Sequence, residues 1–140
     1  MKVFPFYYQL HKMDCGPSCL KMIADYYDKI FDLQLMNNVP KIIQEGTSFS
    51  DLCEASENIG LKCLGLRVSF SLLYEIDLPL ILQWNQNHFV VLFKIQKKWL
   101  YIADPAKGIL RLSKSEFLNH WQNTAISPFD QSIVLQIRPY

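Results

Sequence analysis

Apolar residues recur at helical spacing in the first half of the chain and in short strand-like runs in the second. After Asp14-Cys15-Gly16-Pro17, the residues Cys19, Leu20, Ile23, Ala24 and Tyr27 share one helical face, which predicts a helix from about Cys15 to Tyr27. Asp14 is placed to cap that helix, and Pro17 falls in its first turn, where a missing N–H costs nothing. Ile30 to Glu45 is amphipathic but interrupted by Asn37-Asn38 and Pro40, and predicts a broken helix. Ser48-Phe49-Ser50-Asp51 opens a second clear helix with Leu52, Ala55 and Ile59 on one face and Gly60 as its C-cap.

From Leu61 the period changes. Cys63–Val68, Leu80–Trp84, Phe89–Ile95, Trp99–Ala103 and Ile133–Ile137 read as strands, with Lys97-Lys98 as a hairpin turn between the third and fourth. Asp104-Pro105-Ala106-Lys107-Gly108 breaks the chain after the fourth. Ser113 to Trp121 predicts a short helix, with Ser113 and Glu116 forming a capping box. Helices followed by sequential strands give an α+β fold: an N-terminal helical half packed on an antiparallel sheet. No repeat, linker or low-complexity segment divides residues 1–140, so one domain is expected.

Composition narrows the function classes. Fourteen Lys and Arg against thirteen Asp and Glu leave a net charge of +1 with no basic patch, which argues against nucleic acid as a partner. Met1 to Lys12 lacks a signal-peptide core, and Leu78–Trp84 and Phe89–Ile95 fall far short of the ~20 apolar residues that a membrane helix needs. The domain is therefore expected to be soluble and cytosolic, with no direct membrane insertion. Glycine occurs only at positions 16, 46, 60, 65 and 108, so no phosphate-binding loop of the Walker type is present. In a cytosolic domain, Cys15, Cys19, Cys53 and Cys63 do not imply a disulfide frame. Cys15 with Cys19 lacks a second ligand pair at matching spacing for zinc, and Cys19, Cys53 and Cys63 read as small buried side chains. No metal or other cofactor is expected.

Three short blocks carry chemistry. Cys15 stands in the first turn of the first helix, where unpaired N–H groups and the helix dipole favour a thiolate. His88 stands at the entrance to an apolar strand, and Asp104 at the end of the strand that returns beside it. With the turn at Lys97-Lys98, the hairpin brings His88 and Asp104 together at its open end. A histidine beside a carboxylate, facing a helix-terminal cysteine, is a nucleophile–base–orienter set. Gln9, six residues before Cys15, could donate to a developing oxyanion alongside the Cys15 N–H. His11 is expected to face solvent and His120 to be structural. Trp84 reads as core rather than as a wall of the cleft.

Gln9 and Cys15 within QLHKMDCGPSCLKMIADYY, then NHFVVL, then ADPAKG, resemble the peptidase domain of bacteriocin-processing ABC transporters, the double-glycine leader peptidases with a papain-like fold. The likeness runs from about Phe6 to Trp121 and includes Gly46-Thr47-Ser48-Phe49, Gly60-Leu61 and Leu78-Pro79-Leu80-Ile81. The family usually has an acidic residue soon after the Gln, where His11-Lys12 stands here, and Tyr-Tyr-Gly where Tyr26-Tyr27-Asp28 stands here. The first departure bears on the loop before Cys15, the second on how the first helix ends.

The resemblance implies Cys15 as nucleophile, His88 as general base, Asp104 as orienter and Gln9 as oxyanion donor. It implies as substrate the leader peptide of a secreted precursor, cut after Gly-Gly on the cytoplasmic side of the bacterial inner membrane. The transmembrane and ATPase domains of an ABC transporter would be partners, expected in the same chain beyond Tyr140, with residues 1–140 as the excised N-terminal domain. A non-catalytic module that only recruits leaders, and an acyltransferase or transamidase built on the same triad, are the alternatives.

Overall fold

A single antiparallel sheet is covered on both faces, and this explains why its central strands are apolar almost throughout instead of alternating. The structure, a computed structural model, describes residues 3–11, 14–31, 48–85, 88–121 and 132–140. Its elements are α1 (Cys15–Tyr26), α2 (Phe49–Asn58), β1 (Leu61–Val68), a 3-10 turn (Ser71–Tyr74), β2 (Leu80–Trp84), β3 (His88–Gln96), β4 (Trp99–Asp104), β5 (Gly108–Leu112), α3 (Lys114–His120) and β6 (Ser132–Pro139). The six strands run in the order β1-β6-β2-β3-β4-β5, so β6 lies between β1 and β2 and pairs with both.

One core layer joins Cys19, Leu20, Ile23 and Ala24 of α1 and Leu52 of α2 to Leu61, Ile81, Phe89, Val91, Leu135 and Ile137 of the sheet. The opposite layer joins Phe117 of α3 and Leu73 of the 3-10 turn to Leu80, Leu82, Trp84, Val90, Leu92, Leu100, Ile102 and Val134. Neighbouring positions of β2 and β3 thus face different layers, and a run such as Phe89 to Leu92 is buried throughout. Such unbroken runs are usual where helices cover both faces of a sheet. The α+β reading holds, with one addition: α3 roofs the second face.

Local chemistry sets the ends of the helices. Ser48 and Ser113 each close a capping box, with Asp51 and Glu116 as the third residues. Helix α1 ends in a Schellman arrangement, Lys29 N–H on the Ala24 carbonyl and Asp28 N–H on the Asp25 carbonyl. Asp28 itself takes the left-handed position at φ 59°, where the family usually has glycine. The substituted residue therefore preserves the way the helix ends.

Three expectations need correcting. Asp14 sits at the N-cap of α1 but makes no side-chain cap bond; its carboxylate instead accepts the His11 N–H at 3.1 Å, which steadies the loop before Cys15. The Asp104–Gly108 break is a turn into a further strand, β5, which pairs with β4. Cys53 and Cys63, read as unpaired, form a disulfide: Gly60 reverses the chain between α2 and β1 and brings their Cα atoms to 5.2 Å. The broken helix expected between Ile30 and Glu45 falls on 32–47, outside the described residues, apart from its first two positions.

Candidate active site

Cys15 is the first residue of α1, His88 the first of β3 and Asp104 the last of β4. Antiparallel pairing sets Val91 against Ala103, so Asp104 falls one step beyond, beside Val90. Residues two apart on a strand share a face, which makes Asp104 a diagonal neighbour of His88. His88 Nε2 donates to Asp104 Oδ1 at 2.6 Å. The second ring nitrogen, Nδ1, is then the one left for Cys15, whose side chain is near enough to help raise the ring's pKa. The structure thus brings together the three residues that the motifs single out.

Asp104 is almost fully buried, at 1% exposure, and is held by more than the histidine. The Ala106 N–H donates to its Oδ1 at 2.9 Å, and the Lys107 N–H to its backbone carbonyl at 3.0 Å. Burial by itself would push the carboxyl pKa up. The bonds from His88 and Ala106, with the charges of His88 and Lys107, outweigh it and hold the carboxyl below the usual carboxylate range. Burial likewise works against a charged His88, yet its bonds to Asp104 and Cys15, and their charge, raise its pKa to about 9. The Cys19 thiol, one helical turn on from Cys15, is fully buried, and burial pushes its pKa well up.

The amino-terminal segment is tied to this centre from several sides. The Gln9 N–H donates to the Pro105 carbonyl at 2.9 Å, next to Asp104. Gln9 Nε2 donates to the His11 carbonyl at 3.1 Å, which also accepts the Asp14 N–H at 3.0 Å. Gln9 Oε1 is buried with no partner among the described residues. Two residues upstream, the Tyr7 hydroxyl donates to Asp25 of α1, and Lys21 lies over the Tyr7 ring at 4.6 Å. Tyr7 and Asp25 were not singled out from the sequence, since nothing in their spacing marks a contact between a non-helical segment and a helix. His11 is exposed, as expected, and Trp84 is core, at 2% exposure. Among the described residues, no cluster of three or more His, Cys, Asp or Glu side chains could hold a metal, and no helix is long and apolar enough to cross a membrane.

The chain resembles known proteins over nearly its whole length. It is 28% identical over 138 residues to the colicin V secretion/processing ATP-binding protein CvaB of Escherichia coli, an alignment covering 96% of this chain and 20% of that protein. The lactococcin-G-processing and transport ATP-binding protein LagD of Lactococcus lactis is 29% identical over 127 residues, with 86% and 18% covered. The chain therefore spans about a fifth of the length of these two relatives. Among solved structures, a double-glycine motif protease from an AMS/PCAT transporter, crystallised with its leader peptide, superposes with a TM-score of 0.84 at 30% identity, covering 97% of this chain and 91% of the other. The model of the peptidase C39 family matches residues 3–132. With its cysteine, histidine and aspartate gathered at one end of the sheet, this chain belongs to the peptidase C39 family.

Proposed function

We propose that this domain is a cysteine endopeptidase that removes the leader of a secreted peptide precursor by cutting after a Gly-Gly pair. Cys15 is the nucleophile, His88 the base and then the acid, Asp104 the orienter, and Gln9 with the Cys15 N–H the oxyanion site. The observation that carries this reading is the His88–Asp104 bond of 2.6 Å, with the Cys15 side chain near enough to help raise the pKa of the same ring. His88 Nδ1 takes the Cys15 proton, and the sulfur attacks the carbonyl of the second glycine. Negative charge gathers on the carbonyl oxygen, where the Cys15 N–H and the Gln9 amide are its donors. A ring that stays protonated up to about pH 9 is suited to hand its proton to the departing amine. Water, activated by the now neutral ring, then hydrolyses the thioester.

The relatives named for processing and transport support a setting in which the domain serves an ABC transporter at the cytoplasmic side of the membrane. Membrane-spanning and ATPase parts would be supplied by a longer chain of which these residues form one domain. Glycine at both positions before the cut points to a narrow cleft that a β-carbon would obstruct. A displacement of about 1 Å at the reacting carbonyl can cost ~10²-fold in rate.

Purified domain, without ATP, is incubated with a Gly-Gly precursor encoded near its gene, and products are identified by mass spectrometry. Cleavage after Gly-Gly should fall at least about tenfold with Ala at either glycine. Binding of intact precursor without cleavage would favour a recruiting module, and transfer of the leader to an added amine in place of water would favour an acyltransferase.

A further inference from the structure

Beyond the residues that face the substrate, the end of β2 opposite His88 is held from outside the hairpin by the end of α3. Trp84 closes β2 and is the cross-strand partner of His88, the residue that opens β3. Asn85 follows Trp84 with a left-handed backbone, φ 51°. Its N–H donates to the His120 carbonyl at 2.8 Å. His120 Nδ1 in turn donates to Asn85 Oδ1 at 3.0 Å, since an amide oxygen can only accept. The His120 ring also stacks on Trp84, 5.1 Å between centroids and 14° from parallel. Three contacts from one residue thus fix both the distance and the orientation of the strand end opposite His88.

The anchor is itself grounded. Phe117, one turn before His120, is fully buried and packs edge-on against Trp84 and at a tilt against Trp121. A hairpin tip is normally the least restrained part of a sheet, because it has neighbours on one side only. Here the strand end next to it carries the residue whose placement the chemistry needs most. The bonds themselves are exposed, so they contribute little to overall stability. Their effect is on geometry.

We propose that His120 and Asn85 are positioning residues for the peptidase reaction: their paired hydrogen bonds, with the stacking of His120 on Trp84, hold the end of β2 opposite His88 so that His88 meets Cys15 and Asp104 together. This rests on His88 being the base that activates Cys15. The two ideas separate by measuring both Cys15 alkylation by iodoacetamide at pH 7 and peptide cleavage.

His88→Ala should slow alkylation of Cys15 strongly; if it does not, the assignment of His88 fails and not only the clamp. With that control in hand, His120→Ala should lower both the alkylation rate and kcat about tenfold, part of the ~10²-fold that a 1 Å misplacement can cost. KM should stay within about twofold, because no substrate contact is lost. Asn85→Gly keeps the left-handed backbone but removes the acceptor, and should act in the same direction. His120→Asn places an amide N–H near the position of Nδ1 and should restore most of the loss. Circular dichroism and thermal melting report the folded fraction of each variant. The proposal is overturned if His120→Ala and Asn85→Gly leave alkylation and kcat at wild-type values while His88→Ala does not. It is overturned equally if any loss merely follows the unfolded fraction.

Discussion

His88 Nε2 and Asp104 Oδ1, 2.6 Å apart across two neighbouring strands, form a bond that raises the pKa of one partner and lowers that of the other. In serine triads, exchanging the aspartate for asparagine costs about 10⁴ because the histidine takes the wrong tautomer. Papain-like enzymes work with asparagine in this place. Asp104→Asn should therefore keep far more activity than Asp104→Ala, measured as kcat on a Gly-Gly precursor. Equal, near-complete losses would show that the charge itself is required.

The same bond makes stability depend on pH in a defined direction. The His88 pKa is about 9 in the folded protein against an ordinary 6.5, so the folded state holds the proton more tightly. Its contribution, on the order of 3 kcal/mol, is fully present below about pH 6.5 and lost as pH rises through about 9. Asp104 works the other way: its depressed carboxyl contributes above the usual carboxylate range, and that contribution is lost as pH falls. The urea midpoint of the wild type should exceed that of His88→Gln most near pH 6, with the gap closing above pH 9. A gap that widens on going alkaline would contradict the proton assignment.

Thiol chemistry should single out one cysteine. Cys53 and Cys63 are consumed by their disulfide, and the buried Cys19 thiol has its pKa pushed well up. Without reductant, iodoacetamide should modify Cys15 first, and Cys15→Ala should abolish cleavage while leaving the melting curve unchanged. Labelling of Cys19 ahead of Cys15 would count against the nucleophile assignment.

Gln9→Ala should lower kcat by roughly 10²–10³ with little change in KM, the cost of losing one oxyanion donor. A change confined to KM would place Gln9 in substrate binding.

The end of α1 offers a test of stability alone. Asp28 occupies a left-handed position that a β-branched side chain resists. Asp28→Val should cost about 1–2 kcal/mol in urea unfolding while leaving kcat unaffected. No loss of stability would mean that the helix can end in another way.

The cluster of Cys15, His88 and Asp104 was more legible in the sequence than the frame around it. Cys15, His88 and Asp104 each lie at the end of an element, and element ends are marked by strong local signals: Gly16-Pro17, the onset of the apolar run at Phe89, and Asp104-Pro105. Strand β5 escaped notice because a five-residue edge strand that starts at a glycine with φ +119° has little periodicity to show. The Cys53–Cys63 bond was hidden because its ten-residue separation says nothing about proximity until Gly60 turns the chain back, and the expectation of a cytosolic domain argued against pairing. The ties at His120 were invisible for a plainer reason: Asn85 and His120 lie 35 residues apart in different elements, and only packing of α3 brings them together.

The position of β6 has a consequence for the order in which the protein becomes competent. Among the described residues, β1 and β2 do not pair with each other and are joined through β6, which follows the other described strands in the chain. A growing chain that has passed Asp104 already carries every side chain assigned to the chemistry, yet β1, which packs on α2, is still unjoined to the β2–β5 meander. Closing the sheet requires contacts between distant parts of the sequence, which form late and slowly. Cys15 and His88 therefore lack a closed sheet around them until synthesis has passed Pro139.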